Sequence, residues 1–258
     1  MFLSEVWSIV VQYRDVLLRG IGFTMLIALI GTVAGLAIGL LTGILRTMPK
    51  SKNGFVRALQ TVLNAVIAVY VEVFRGTPMM VQAMVIYWGF AFASGGQTLP
   101  LIPSGILIVS VNTGAYMAEI VRGGIISIDK GQFEGAQSIG MTHAQTMFSV
   151  ILPQVLRNIL PSVSNEFVIN IKDTSVLNVI GVTELYFFAG IIYKDTLKVF
   201  QTYFVVCVLY FILTFVITRL LRFAEKKLEG KENYTIFGSQ TDPQAEIHIR
   251  KEEPRYDD

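Results

Sequence analysis

From Ile21 to Leu45 the chain carries no charged residue. As a helix, about 25 residues reach about 37 Å, enough to cross the hydrocarbon core of a bilayer. Such a stretch has few homes in a soluble domain, so the fold is expected to be built around a membrane. Within it Gly31, Gly35, Gly39 and Gly43 recur every four residues and form one small-residue face. In lipid such a face lets another helix approach closely. The neighbour is either a helix of the same chain or a second copy, in which case the stripe is a dimer seam.

The rest of the composition agrees. The chain is 53% hydrophobic and only 16% charged, the profile of a polytopic membrane protein. A net charge of +2 supplies no strong attraction to nucleic acid. Cys207 is the only cysteine, which excludes an intrachain disulfide. His143 and His248 have no cysteine pair nearby, so no metal site is expected. The N-terminus carries acids early and lacks a small-residue cleavage site, and reads as retained.

Read in order, residues 1–19 place Leu3, Val6, Ile9, Val10, Tyr13 and Leu17 on roughly one helical face. The pattern fits an amphipathic helix at the membrane surface, or a plain leader into the first span. After the first span, Arg46, Lys50, Lys52 and Arg57 form a basic loop, which the positive-inside tendency puts in the cytoplasm. Ala58 to Ala93 is too long for one straight span and is interrupted by Glu72, Arg75, Gly76 and Pro78. One broken crossing keeps the next polar block inside and is preferred over two. The uncharged loop 94–101 then lies outside. Ile102–Ala118 returns inward, Ile159–Ile180 goes out, an outer loop of mixed charge covers 185–198, and Val199–Thr218 comes back to Arg219, Arg222, Lys226 and Lys227. The expected fold is all-α and integral to the membrane: five transmembrane helices, N-terminus out and C-terminus in. Residues 20–225 form the transmembrane domain, and 226–258 read as a hydrophilic, disordered cytoplasmic tail.

Between the third and fourth spans lies a polar insert, Gly131 to Pro153. Gln132 to Ile139 can form a short helix, and Gly140 can supply the positive φ that ends it. Thr142 followed by Gln145 fits a capping box for a second helix, and Pro153 suits the first turn of the next element. The expected object is a helix–turn–helix lug whose small residues, Gly135 and Ala136, let another protein's groove come close.

The spacing Glu134-Gly135-Ala136, Gly140, then Val150-Ile151-Leu152-Pro153 resembles the EAA coupling loop of ABC-importer permeases. Gly135 replaces the first alanine and Val150 the isoleucine. Val71 to Pro78, Asn112 to Tyr116, Glu119 to Gly124 and Lys172 to Ser175 are similar to the polar amino-acid (histidine, glutamine, arginine) branch of that family. The resemblance covers roughly residues 18–225. It implies a type I ABC importer permease fold and a subunit that is not itself an enzyme. It also implies a second permease copy or a homologous permease, a cytoplasmic ABC ATPase dimer, an extracytoplasmic solute-binding protein and an amino-acid substrate. The location would be a bacterial-type inner or plasma membrane, in contact with lipid. The chain would hold no cofactor, with ATP and magnesium on the ATPase; no Gly-rich phosphate loop followed by Lys-Ser/Thr occurs here. A coupling segment over 123–157 would engage the ATPase through Gln132, Glu134, Gly135, Ala136, Ser138, Ile139, Gly140, Met141, Thr142, Leu152 and Pro153.

Charges inside a membrane are costly and point to function. Glu72, Arg75, Asn112, Tyr116, Glu119, Glu166, Lys172, Asp173, Thr174 and Ser175 are the candidates for a translocation pathway or gate. Glu72 with Arg75, and Glu119 with Arg122, are spaced to pair on a helix. Lys172 and Asp173 are adjacent and cannot share a helix face. The asparagines could line a polar path or tie helices together. Phe187, Phe188 and Tyr193 suit an interfacial belt. Two rivals stay open: a permease for another small solute, and a self-sufficient secondary transporter, although no internal repeat of the kind such transporters show is visible.

Overall fold

The four spaced glycines set the register of the molecule. In the computed structural model, which describes residues 1–229, they lie on α2 (Arg14–Thr47) and face α5 (Leu101–Ile126) of the same chain. Gly31 meets Val109, Gly35 meets Thr113, Gly39 meets Met117 and Gly43 meets Val121. A Cβ on any of the four would come closer than 3.0 Å to α5. Of the two readings of the stripe, the intrachain contact is the one formed.

Both partners advance by four residues at each step, so α2 and α5 run parallel. The chain between them must therefore cross the bilayer an odd number of times. That segment is α3 (Gly54–Gly76) followed by α4 (Met79–Ala93). Ile67 and Val71 of α3 pack with Ala118, Tyr70 Oη donates to the Val111 carbonyl at 2.6 Å, and Ala83 and Tyr87 of α4 pack with Ile108 and Val109. The chain thus walks steadily back along α5, and residues 54–93 make one broken crossing.

The break falls at Thr77-Pro78, where both residues are extended. Proline has no N–H to continue the helix, so carbonyls before it lose their partners. Gln82 of α4 replaces those donors: its Nε2 donates to the carbonyls of Phe74 and Thr77, each at 2.9 Å. Its Oε1 in turn accepts from Asn112 Nδ2 of α5 at 2.8 Å. A break inside lipid is tolerated when its polar backbone is satisfied in this way.

The remaining elements are α1 (Phe2–Gln12), α6 (Lys130–Ser138), α7 (His143–Thr146), α8 (Leu152–Asp173), α9 (Leu185–Thr196) and α10 (Val199–Glu229). A five-residue π-helix, Met147–Ile151, joins α7 to α8, and a 3-10 turn, Thr174–Ile180, extends α8 to Gly181. Four helices are long and apolar enough to cross a membrane: α2, α3, α5 and α10. The α8 segment and α9, bent by 57° to each other, supply a fifth.

Three boundaries differ from the sequence expectation. The surface helix expected over residues 1–19 ends at Gln12, and Arg14 already opens α2. The third span does not stop at Ala118 but runs to Ile126, because Glu119 is neutralised within the helix bundle. The outer loop expected at 185–198 is mostly the helix α9. Its Leu185, Ala189 and Ile192 are fully buried against Ile9, Leu17, Val205 and Val206, an apolar stripe at helical spacing. Residues 226–229 continue α10; the rest of the expected tail lies outside the described residues.

Candidate coupling surface and membrane pathway

The polar insert folds as a short-helix lug at one end of the bundle. Asp129 caps α6 by accepting from the Gly131 N–H at 2.6 Å. Gly140, at φ +82°, turns the chain out of α6, a conformation that glycine adopts without a side-chain clash. Thr142 and Gln145 then form the full capping box: Gln145 N donates to Thr142 Oγ1 at 3.3 Å and Thr142 N donates to Gln145 Oε1 at 2.9 Å. Beneath the lug, Met147, Ile151 and Val155 pack on Val121, Ile125 and Ile128. Motion of the lug is thereby tied to α5 and α8.

Its outer face is open. Gln132, Glu134, Gly135, Ser138, Ile139 and Gly140 are exposed, and Glu134 has no ion-pair partner among the described residues. Met141 and Leu152 are half-buried, and Thr142 and Pro153 are exposed. The two small residues separate. Gly135 has open space above it, whereas Ala136 is buried inward, so only Gly135 offers close approach. Two apolar knobs stand out on this face: Ile139, one of the expected coupling residues, is 78% exposed, and Phe148, which the sequence reading did not single out, is 65% exposed. The available signal for Phe148 was that Met147, Ile151 and Val155 share one helical face, which leaves Phe148 to its side.

At mid-membrane the structure gathers several of the expected pathway residues. Asn170 of α8 joins three helices, donating to Thr32 Oγ1 of α2 at 2.8 Å and to Thr113 Oγ1 of α5 at 3.0 Å. Glu166 and Asp173 lie four before and three after it, on the same face of α8. Glu166 is only 8% exposed and has no hydrogen-bond or ion-pair partner among the described residues. Arg75 is placed over the ring of Tyr116, 5.6 Å from its centroid. One face of α8 thus carries two carboxylates, and α3 supplies a guanidinium stacked on Tyr116 of α5.

The other candidates are distributed differently. The expected Glu72–Arg75 pair does not form: Arg75 is drawn onto Tyr116, and Glu72 is left on the exposed face of α3. The expected Glu119–Arg122 pair does form, at 2.8 Å, and Glu119 also holds Arg46 of α2. This three-residue cluster closes the bundle at the lug end. Asn112 is committed to bracing the α3–α4 break. Lys172 is exposed on another face of α8, beside α10, while Asp173 is half-buried, as their adjacency required. Thr174 is buried and donates to the Ile171 carbonyl at 3.0 Å, and Ser175 is half-buried in the same 3-10 turn.

At the opposite end, Glu184 escaped the sequence reading, which left it in an outer loop. It is fully buried and caps α9, accepting from the N–H groups of Tyr186 at 3.0 Å and Phe187 at 2.7 Å. Tyr210 Oη of α10 donates to it at 2.6 Å. Nearby, α1 is fastened by Tyr13, whose hydroxyl donates to Asp195, and by Glu5. Glu5 accepts from Gln201 Nε2 at 2.9 Å and pairs with Lys198 at 3.5 Å. The Gln201 hydrogen bond, aided by Lys198, holds the Glu5 carboxyl below its usual range. The hydrogen bond to Asp195 pushes the Tyr13 hydroxyl up.

Known proteins share this arrangement. Residues 53–230 match the family described as "Binding-protein-dependent transport system inner membrane component". The glutamine transport system permease protein GlnP of Escherichia coli K12 is 35% identical over 86% of this chain and 97% of its own length. The L-cystine transport system permease protein TcyB of Bacillus subtilis is 36% identical over 86% of this chain and 91% of its own. Among solved structures, an amino acid ABC transporter crystallised with histidines superposes with a TM-score of 0.73 at 33% identity. The match covers 88% of this chain and 98% of that one. The MetNI methionine ABC transporter, at 19% identity and a TM-score of 0.62, shares the fold. The matched segment spans every crossing from α3 to α10, together with the lug, and on that basis the chain belongs to the binding-protein-dependent transport system inner membrane components, the permease subunits of ABC importers.

Proposed function

We propose that this chain carries a polar amino acid into the cytoplasm as one of a pair of permeases, with its N-terminus outside and the lug and C-terminus inside. ATP hydrolysis takes place on a separate ABC ATPase dimer, which binds ATP and magnesium, and an extracytoplasmic binding protein delivers the solute. The observation that carries the reading is the lug. It is a capped, exposed helical pair with an unpaired Glu134, rigidly packed through Met147, Ile151 and Val155 onto α5 and α8. A rigid connection of this kind passes movement of a docked protein to the helices bearing Tyr116, Glu166 and Asp173. The basic residues Arg46, Lys50, Lys52 and Arg57 at that end support its cytoplasmic placement.

The charges near Glu166 support the substrate class. A zwitterion presents an ammonium and a carboxylate, and this region offers carboxylates from α8 and a guanidinium from α3. The names of the relatives, glutamine and cystine permeases, agree with an amino-acid cargo. Replacing Glu134 with lysine tests the docking role. The variant is expected to insert and purify normally but to lose both ATPase co-purification and amino-acid uptake. Retention of both would overturn the proposal.

A further inference from the structure

Outside the lug and the Glu166 region, the structure places three cations in one open groove between α8 and α10. Val168 and Lys172 of α8 and Phe211, Phe215, Arg219 and Arg222 of α10 line a cavity of about 310 Å³. None of Lys172, Arg219 and Arg222 has a carboxylate within salt-bridge distance among the described residues. All three are exposed. Three unpaired cations gathered in one groove at the basic end of a spanning helix favour an anionic occupant.

The groove is graded along α10. Phe211 and Phe215 come first, then Arg219 and Arg222 on the following turns, toward the basic end of the helix. Arg219 rests against the Phe215 ring, 5.1 Å from its centroid, which holds its guanidinium at the junction of the two halves. The hydroxyls in the wall are not free donors. Thr214 donates to the Tyr210 carbonyl at 2.9 Å and Thr218 to the Thr214 carbonyl at 2.6 Å. The cations are therefore the side-chain donors left for a ligand. An occupant needs an anionic, multi-acceptor head at the arginines and an apolar body beside the phenylalanines.

We infer that this groove binds an anionic phospholipid, with its phosphate at Arg219 and Arg222 and its acyl chains along Phe211, Phe215 and Val168. The match of a phosphate to two guanidinium groups is a charge-assisted one, and basic pockets between membrane helices take such headgroups. The assignment to the cytoplasmic leaflet rests on the orientation proposed above; the binding itself does not.

The test uses the full chain purified with its ATPase in detergent and titrated with phosphatidylglycerol or with phosphatidylcholine of the same acyl chains. Bound lipid is counted by native mass spectrometry. Wild type is expected to retain phosphatidylglycerol in preference to phosphatidylcholine. The double variant Arg219→Gln/Arg222→Gln should weaken that retention at least about tenfold. The control Lys226→Gln/Lys227→Gln, on the same helix outside the groove, should not change it. Equal retention of the two lipids, or no loss in the arginine variant, would overturn the inference. So would efficient disulfide cross-linking of Thr214→Cys between two permease copies, which would show a protein occupying the groove. The arginine variant's thermal transition separates lipid loss from misfolding, and failure of Glu134→Lys to uncouple transport would leave this result unaffected.

Discussion

Replacing Gly39 with alanine probes the contact on which the topology depends. An alanine Cβ at this position would be driven against Met117, including its carbonyl carbon at 2.7 Å, so moving a flexible side chain cannot relieve it. Gly22, on the same helix, has nothing within 4 Å of the same atom. Both substitutions gain helix propensity of about 1 kcal/mol, which cancels between them. The difference isolates the clash, worth about 1–3 kcal/mol for overpacking a tight contact. At roughly 2–4 °C per kcal/mol for a chain of this size, Gly39→Ala should melt about 2–12 °C below Gly22→Ala. Thermal unfolding of the two purified variants in one detergent reads the difference directly. Equal transitions, or a lower one for Gly22→Ala, would refute the parallel α2–α5 contact and, with it, the single crossing assigned to α3 and α4.

Gln82→Leu should destabilise the protein by about 1–3 kcal/mol, because the Thr77 carbonyl loses its donor and the Phe74 carbonyl keeps only Asn112 Nδ2 at 3.4 Å. Thermal denaturation checks this, and no loss would mean that the break is satisfied otherwise. Glu184→Ala should loosen the outer end more than Glu184→Gln does, since the single amide oxygen can still accept from one of the Tyr186 and Phe187 N–H groups; hydrogen exchange across α9 distinguishes them. The Glu5 contact carries a pH dependence. Its carboxyl is held below 4.5 in the folded chain, so the attachment of α1 is fully present above that pH and is lost as pH falls through the lowered value. Trp7 fluorescence should report that transition in wild type and none in Glu5→Gln.

The sequence was most informative where the physics is local. Gly140 and the Thr142–Gln145 box could be read because a helix end needs a positive φ and a side-chain cap within three residues. The glycine stripe announced a close contact, although its partner α5 became visible only in three dimensions. The charge-free runs gave the crossings. Long-range pairing could not be read in the same way. Gln82 looks unremarkable until the carbonyls of Phe74 and Thr77 are found next to it. Glu184 looks like loop charge until Tyr210, on another helix, is seen to donate to it. Glu72 and Arg75 had the right spacing to pair, but the ring of Tyr116, supplied by α5, competes for the guanidinium. Helix α9 was hidden because its few charges, Lys194 and Asp195, mask a buried stripe of Leu185, Ala189 and Ile192.

The proposed coupling requires that this chain move its solute only when the lug is driven by an ATPase. Uptake of radiolabelled polar amino acids into proteoliposomes, with the binding protein outside and ATP inside, measures that claim most directly. Uptake is expected to require both the ATPase and ATP and to disappear in Glu134→Lys. Uptake that persists without the ATPase would contradict it.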